Sequence, residues 1–170
     1  LVYIAHEKSY DQFHRNANSI FAIGARAKSG VDSIDIRTMA YSTGPYILDK
    51  FPQALSFMRL FRPYPNATLA NTQNSDIKFN EKDFLFADSN FFRFFSFQLI
   101  AGNEKTVLAK PRSVVISERM AKKYFGTTDA IGKVLEYNQK YNLVVTGISA
   151  ENPSNSSLHF DFVASTESLL

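Results

Sequence analysis

The 170-residue chain contains no cysteine and no tryptophan. Without cysteine there is no disulfide framework, no thiolate zinc or iron–sulfur site and no cysteine nucleophile. Long apolar runs are missing too. The longest reach only four or five residues, whereas a membrane helix needs roughly 20. Charge is equally unclustered: 19 basic and 16 acidic side chains leave a formal charge of +3, and the longest basic run is the pair Lys122 and Lys123. That argues against a phosphate-binding surface and against a nucleic-acid partner.

What remains is an ordinary globular composition, 45% hydrophobic and 21% charged, with one skew: 16 Phe and 8 Tyr supply all the aromatics. Such rings dominate burial wherever they cluster, and the segment from Phe84 to Phe97 is dense in them. The length suits one domain or two small packed lobes. Leu1-Val2-Tyr3-Ile4-Ala5 has no initiator Met, basic flank or cleavage signal, and the other end stops at Ser168-Leu169-Leu170 in mid-pattern, so the chain reads as an excised segment.

Local signals predict an α+β order. Ser9-Tyr10-Asp11-Gln12 fits a capping box, which predicts a helix from about Tyr10 to Asn18 with Phe13 and Ala17 on its apolar stripe. Ser19 to Ala27 reads as a strand, Gly30 as a turn, and Asp32 to Arg37 as a half-buried strand with Ile34 and Ile36 inward. Thr43, Pro45 and Pro52 bracket a helix whose inner face is Ile47, Leu48 and Phe51. Leu55 to Phe61 reads as a strand ended by Arg62-Pro63-Tyr64-Pro65. Ile77 and Phe79 pair with Phe84 and Phe86 as a hairpin around Asn80-Glu81-Lys82-Asp83. Asp88-Ser89-Asn90 opens a short helix bearing Phe91, Phe92, Phe94 and Phe95. Ser113 to Ser117 is a buried strand. A helix follows, capped by Ser117 and stopped by Gly126, with Met120, Ala121, Tyr124 and Phe125 on its apolar face. Val134 to Tyr137, Leu143 to Ile148 and Leu158 to Val163 read as the last strands.

Catalytic motifs are scarce. Gly126 to Lys133 is one residue too long for a phosphate loop and has Val134 where a magnesium-binding hydroxyl is needed, so it reads as a helix stop and a turn. On a helix Glu7, Asp11 and His14 share a face and could hold a metal; a solvated face is the preferred reading. His159 and Asp161 point the same way on a strand, which suits base chemistry or, preferably, a plain hydrogen bond. Nucleophile motifs are absent. Asn66-Ala67-Thr68 and Asn155-Ser156-Ser157 match a glycosylation sequon that matters only in a eukaryotic secretory setting. No catalytic, cofactor-binding or metal residue is assigned, and no cofactor or enzyme activity is expected. Phe91, Phe92, Phe94, Phe95 and Phe97 read as core; exposed, they would floor an extracytoplasmic site for peptide, glycan or lipid.

The ordered set Glu7-x-Ser9-Tyr10-Asp11-x-Phe13-His14, Asp83-Phe84-Leu85-Phe86-Ala87-Asp88-x-x-Phe91-Phe92-x-Phe94-Phe95-Ser96-Phe97-x-Leu99-x-x-Gly102, Pro111-x-Ser113-Val114-Val115-Ile116-Ser117, Ala121-x-Lys123-Tyr124-Phe125-Gly126, Ala130-Ile131-Gly132-Lys133, Val145-Thr146-Gly147 and His159-Phe160-Asp161-Phe162 resembles the MacB-like periplasmic core domain of FtsX-like ABC transporter permeases, in the style of Bacteroidetes-type bacteria. The resemblance implies a two-lobed α+β domain at the periplasmic face of the inner membrane. A porter-like lobe at 1–78 and 153–170, shorter than usual at its C-terminal side, would carry a strand-rich inserted lobe at 79–152. It implies a non-enzymatic role that couples cytoplasmic ATPase motion to export or to periplasmic partners. Implied partners are a second permease subunit, the ATPase acting through membrane helices, and an adaptor or lipoprotein. The helix from Ser9 to Asn18 would be the lever.

Overall fold

The computed structural model describes residues 9–29, 32–36 and 38–169. The expectations on residues 1–5, Glu7, Gly30 and Arg37 lie outside the described residues. The centre is a nine-stranded mixed sheet. Its spatial order is β3 (Leu60–Phe61), β6 (Phe84–Ala87), β11 (Phe162–Ser165), β8 (Ser113–Ser117), β10 (Tyr141–Ser149), β9 (Val134–Tyr137), β4 (Ala67–Asn71), β5 (Asn74–Glu81), and β7 (Leu99–Ala101) pairs with β10 off this path. β11 lies parallel to β6 and antiparallel to β8, and β8 lies parallel to β10. The expected boundaries at 78/79 and 152/153 fall inside β5 and shortly before β11, and the pairing of the sheet runs across both. With three short helices among the described residues, α1 (Thr43–Lys50), α2 (Phe91–Phe94) and α3 (Glu118–Phe125), the fold is the expected α+β.

The central strands are covered on both faces, and their sequences say so: Phe84-Leu85-Phe86-Ala87, Ser113-Val114-Val115-Ile116-Ser117 and Phe162-Val163-Ala164-Ser165 are buried at every position, the pattern of strands with no solvent face. Alternation then sorts the side chains. Phe84, Phe86, Val114, Ile116 and Phe162 meet Met120, Ala121 and Tyr124 of α3 on one face. Leu85, Val115 and Val163 meet Phe91, Phe92, Phe97 and Phe160 on the other. Each buried Phe contributes about 1.5–3 kcal/mol, so these two layers hold most of the stability.

α3 forms where the sequence places it. The Ser117 hydroxyl accepts the Met120 N–H at 3.3 Å, Glu118 occupies the positive end of the dipole, and Gly126 closes the helix at φ +69°. Glu118 and Lys122 add a pair at 2.6 Å on the solvent side.

Several expectations fail for tertiary reasons. Residues 10–16 are turns, and only Ala17–Ser19 winds, as a 3-10 turn. The Asp11 and Arg15 amides go to distant loops, and those of Gln12, His14 and Ala17 reach only three residues back. The expected strand from Ser19 shrinks to β1 (Ala25–Ser29), which pairs with β2 (Asp32–Ile36) as an isolated hairpin. Ile34 and Ile36 are exposed on it, because among the described residues no element covers that face. The inner face expected for α1 is also open: the helix has no buried residue, and Phe51 beyond it is exposed. Leu55 to Phe61 yields only β3. The hairpin expected between Phe79 and Phe84 does not form; β5 pairs with β4, and β6 crosses to β3 and β11. The strand expected from Leu158 starts only at Phe162.

Candidate functional site: a clasp on a phenylalanine core

The segment in place of the expected N-terminal helix is fastened at both ends. Asp11 takes a positive φ of 58°, a conformation Asp tolerates better than most residues. The turn aims its backbone N–H at the Asn155 carbonyl, 2.9 Å away, while its carboxylate accepts the Ser157 N–H at 2.9 Å and the Ser157 hydroxyl. Asn155 answers by donating its side-chain amide to the Ser9 carbonyl at 2.9 Å. Three residues on, the His14 Nδ1 accepts the Ser96 N–H at 3.1 Å, and the Ser96 hydroxyl accepts the Arg15 N–H at 2.9 Å. Residues 9–15 thus grip the loop at 155–157 and the end of α2 together.

The imidazole is buried among rings: Phe13 at 4.0 Å, Phe95 at 5.2 Å and Phe97 at 5.2 Å between centroids. Behind them Phe91 stacks on Phe97 and meets Phe160 edge-on. Burial lowers the His14 pKa below its ordinary 6.5, against a smaller upward pull from Asp11. The neutral ring with a bare Nδ1 is the form the Ser96 bond requires.

Phe91, Phe92 and Phe97 are buried and Phe94 and Phe95 half-buried. An open hollow of about 400 Å³ between Arg15, Gln98, Leu99 and Glu104 touches only Phe92 and Phe97 of the five. That is core, and it removes the exposed ligand floor. Asp11 and His14 turn to different partners, and among the described residues no group of three or more acidic or His side chains could hold a metal. His159 is exposed, off any strand, and its carbonyl accepts from Arg62. Asp161 is buried, bonded to the Ser117 hydroxyl at 3.0 Å and to Arg119 at 2.7 Å. Burial raises its pKa, opposed by Arg119 and Ser117. With Asp83 and Glu151 the two border a polar hollow of about 220 Å³. Arg119 and Ser117 already occupy the Asp161 carboxylate. Gly126 and Gly132 sit at positive φ in a helix stop and a turn, as read from the sequence. Asn155, in the second sequon, has its side chain committed to Ser9.

Two ties escaped sequence reasoning. Arg59 grips Asp88 through its backbone N–H, Nε and Nη2, at 2.8–3.0 Å, with Thr166 donating to the same carboxylate at 3.0 Å. Glu81 receives both the Tyr124 hydroxyl and Lys123, each at 2.7 Å. The clasp partners Ser96, Asn155 and Ser157 were also missed; they lie 81 to 146 residues from their mates.

The family model described as the MacB-like periplasmic core domain matches residues 1–169. A domain of a candidate permease protein from Porphyromonas gingivalis has a similar structure, with a TM-score of 0.65 and 23% identity over 81% of this chain and 61% of that one. The periplasmic region of MacB from Actinobacillus actinomycetemcomitans aligns with a TM-score of 0.55 and 17% identity, over 74% of this chain and 54% of that one. At these identities the likeness shows the fold, and the chain spans just over half the length of either solved domain. No curated protein sequence matches the chain. Among the described residues no helix is long and apolar enough to cross a membrane. By a family match from end to end and a shared fold, the chain belongs to the MacB-like periplasmic core domains, the periplasmic domains of MacB- and FtsX-like ABC transporter permeases.

Proposed function

We propose that this domain works without covalent chemistry, as the periplasmic moving part of a dimeric permease at the inner membrane. ATP-driven motion of a cytoplasmic ATPase reaches it through the membrane helices, and it passes that motion to a substrate, adaptor or lipoprotein. The observation that carries this reading is the clasp. A segment leading in from the N-terminal side is tied by backbone and side-chain bonds to two loops of the sheet body, so displacement of that segment moves the body instead of being absorbed in a slack loop. The expected rigid helix is replaced by this fastening, which does the same mechanical work.

The test is a full permease, with its ATPase, carrying Phe13→Pro. Phe13 packs against His14 and Phe97, and Pro removes both its ring and its amide. ATP hydrolysis at the wild-type rate with transport lost supports coupling through this segment; transport at the wild-type level overturns it.

A further inference from the structure

We propose that His14 is a proton-operated catch: its neutral ring fastens residues 9–15 to the Phe-rich face, and protonation in mildly acidic surroundings frees that segment while the nine-stranded sheet stays folded. Nδ1 can accept the Ser96 N–H only while it carries no proton. On protonation this bond becomes a clash of two donors, and a cation is left against Phe13, Phe95 and Phe97, which offer no oxygen.

The surroundings supply little relief. From α2 and the loop after it, His14 meets the rings and the Ser96 backbone, which carry no charge. The loop at 155–157 contributes Asn155, Ser156 and Ser157, also uncharged. On its own segment, Arg15 would repel an imidazolium. Among the described residues Asp11 is the one carboxylate that acts on His14, and both its oxygens are committed to Ser157. If Asp11 turned to the charged ring, it would leave Ser157, so either response opens one jaw of the clasp. The inference concerns the chain itself and stands whether or not the clasp carries transport.

Amide hydrogen exchange of the 170-residue chain, read by NMR from pH 7.5 to 5.0 and corrected for intrinsic rate, tests it. The Ser96, Asp11 and Ser157 amides lose protection as pH falls below about 6.5, by up to about tenfold per pH unit when one proton drives the opening. Val114 and Val115 in β8 keep theirs. In His14→Asn the side-chain carbonyl takes the place of Nδ1 without titrating, and the pH dependence disappears. Equal pH dependence in His14→Asn, or constant Ser96 protection in the wild type, overturns the proposal. Imidazole 15N shifts give a reading that needs no variant: His14 titrating at or above 6.5, or independently of the Ser96 amide, also overturns it.

Discussion

One guanidinium nitrogen of Arg119 lies 2.8 and 2.7 Å from the two carboxylate oxygens of Asp161, joining the first turn of α3 to the residue that leads into β11. The same carboxylate accepts from Ser117, the cap of that helix. The pair therefore fixes where a helix begins and where a central strand enters the sheet.

Removing the exposed partner exposes the cost of the buried one. Arg119→Gln leaves Asp161 charged and poorly paired, and should cost about 1–2 kcal/mol at pH 7. The sign of the pH effect follows from the pKa. Asp161 lies above its ordinary 3.8 when folded, so the native state takes up a proton before the unfolded chain does, and this group's contribution improves as pH falls through the folded value. The Arg119→Gln defect should shrink between pH 7 and about pH 4.5. Urea unfolding at both pH values checks this, and a defect of constant size contradicts it.

Asp88 should be less replaceable than its position near a loop suggests. Four donors from Arg59 and Thr166 converge on it, and both ion-pair partners are mostly buried. Asp88→Ala strands a guanidinium that also lies 3.6 Å over the Tyr41 ring. The expected loss is about 3 kcal/mol. Arg59→Lys keeps the positive charge but loses the fork, and should cost more than half as much. Thermal unfolding of both variants decides the order.

Two glycines separate backbone strain from crowding. Gly126 ends α3 at φ +69° in open space, so Gly126→Ala should cost only about 1 kcal/mol. Gly102 has φ +103°, and a Cβ there would sit 2.7 Å from the Val107 side chain and 3.0 Å from Gly147 in β10. Gly102→Ala should cost at least twice as much and weaken protection of the β7 amides. Equal costs would mean that the close approach of β7 to β10 is unimportant.

Tyr124→Phe probes a buried polar bond in the core. The hydroxyl donates to Glu81 at 2.7 Å, and burial together with that carboxylate pushes the phenol pKa upward. Glu81 keeps Lys123, so the loss should stay near 1 kcal/mol. Denaturant midpoints measure it; a loss above about 3 kcal/mol would mean that Lys123 cannot hold Glu81 alone.

The elements readable from the sequence are those whose signals are local. Ser117 and Gly126 bracket α3, and unbroken β-branched residues mark β8; both lie where the residues predicted. β4 went unseen because Ala67-Thr68-Leu69-Ala70-Asn71 has little apolar bulk and is made a strand by β5 and β9. Ser9 to Gln12 has the letters of a capping box, yet Asp11 and Arg15 spend their amides on Asn155 and Ser96, partners no window of sequence contains. The Phe-rich run was rightly read as core. That Phe84 and Phe86 serve one face of the sheet and Phe91 and Phe97 the other depends on the crossing of β6 to β11, which only the topology reveals.

The central claim, that the clasp transmits motion, is tested most directly by measuring ATP hydrolysis and transport together in a full permease carrying Asp11→Ala. This change removes both bonds to Ser157 and leaves the Phe-rich core intact. The account predicts hydrolysis within about twofold of wild type and transport reduced at least tenfold, partly restored by Asp11→Asn, whose carbonyl can still accept from Ser157. Wild-type transport in Asp11→Ala would contradict it.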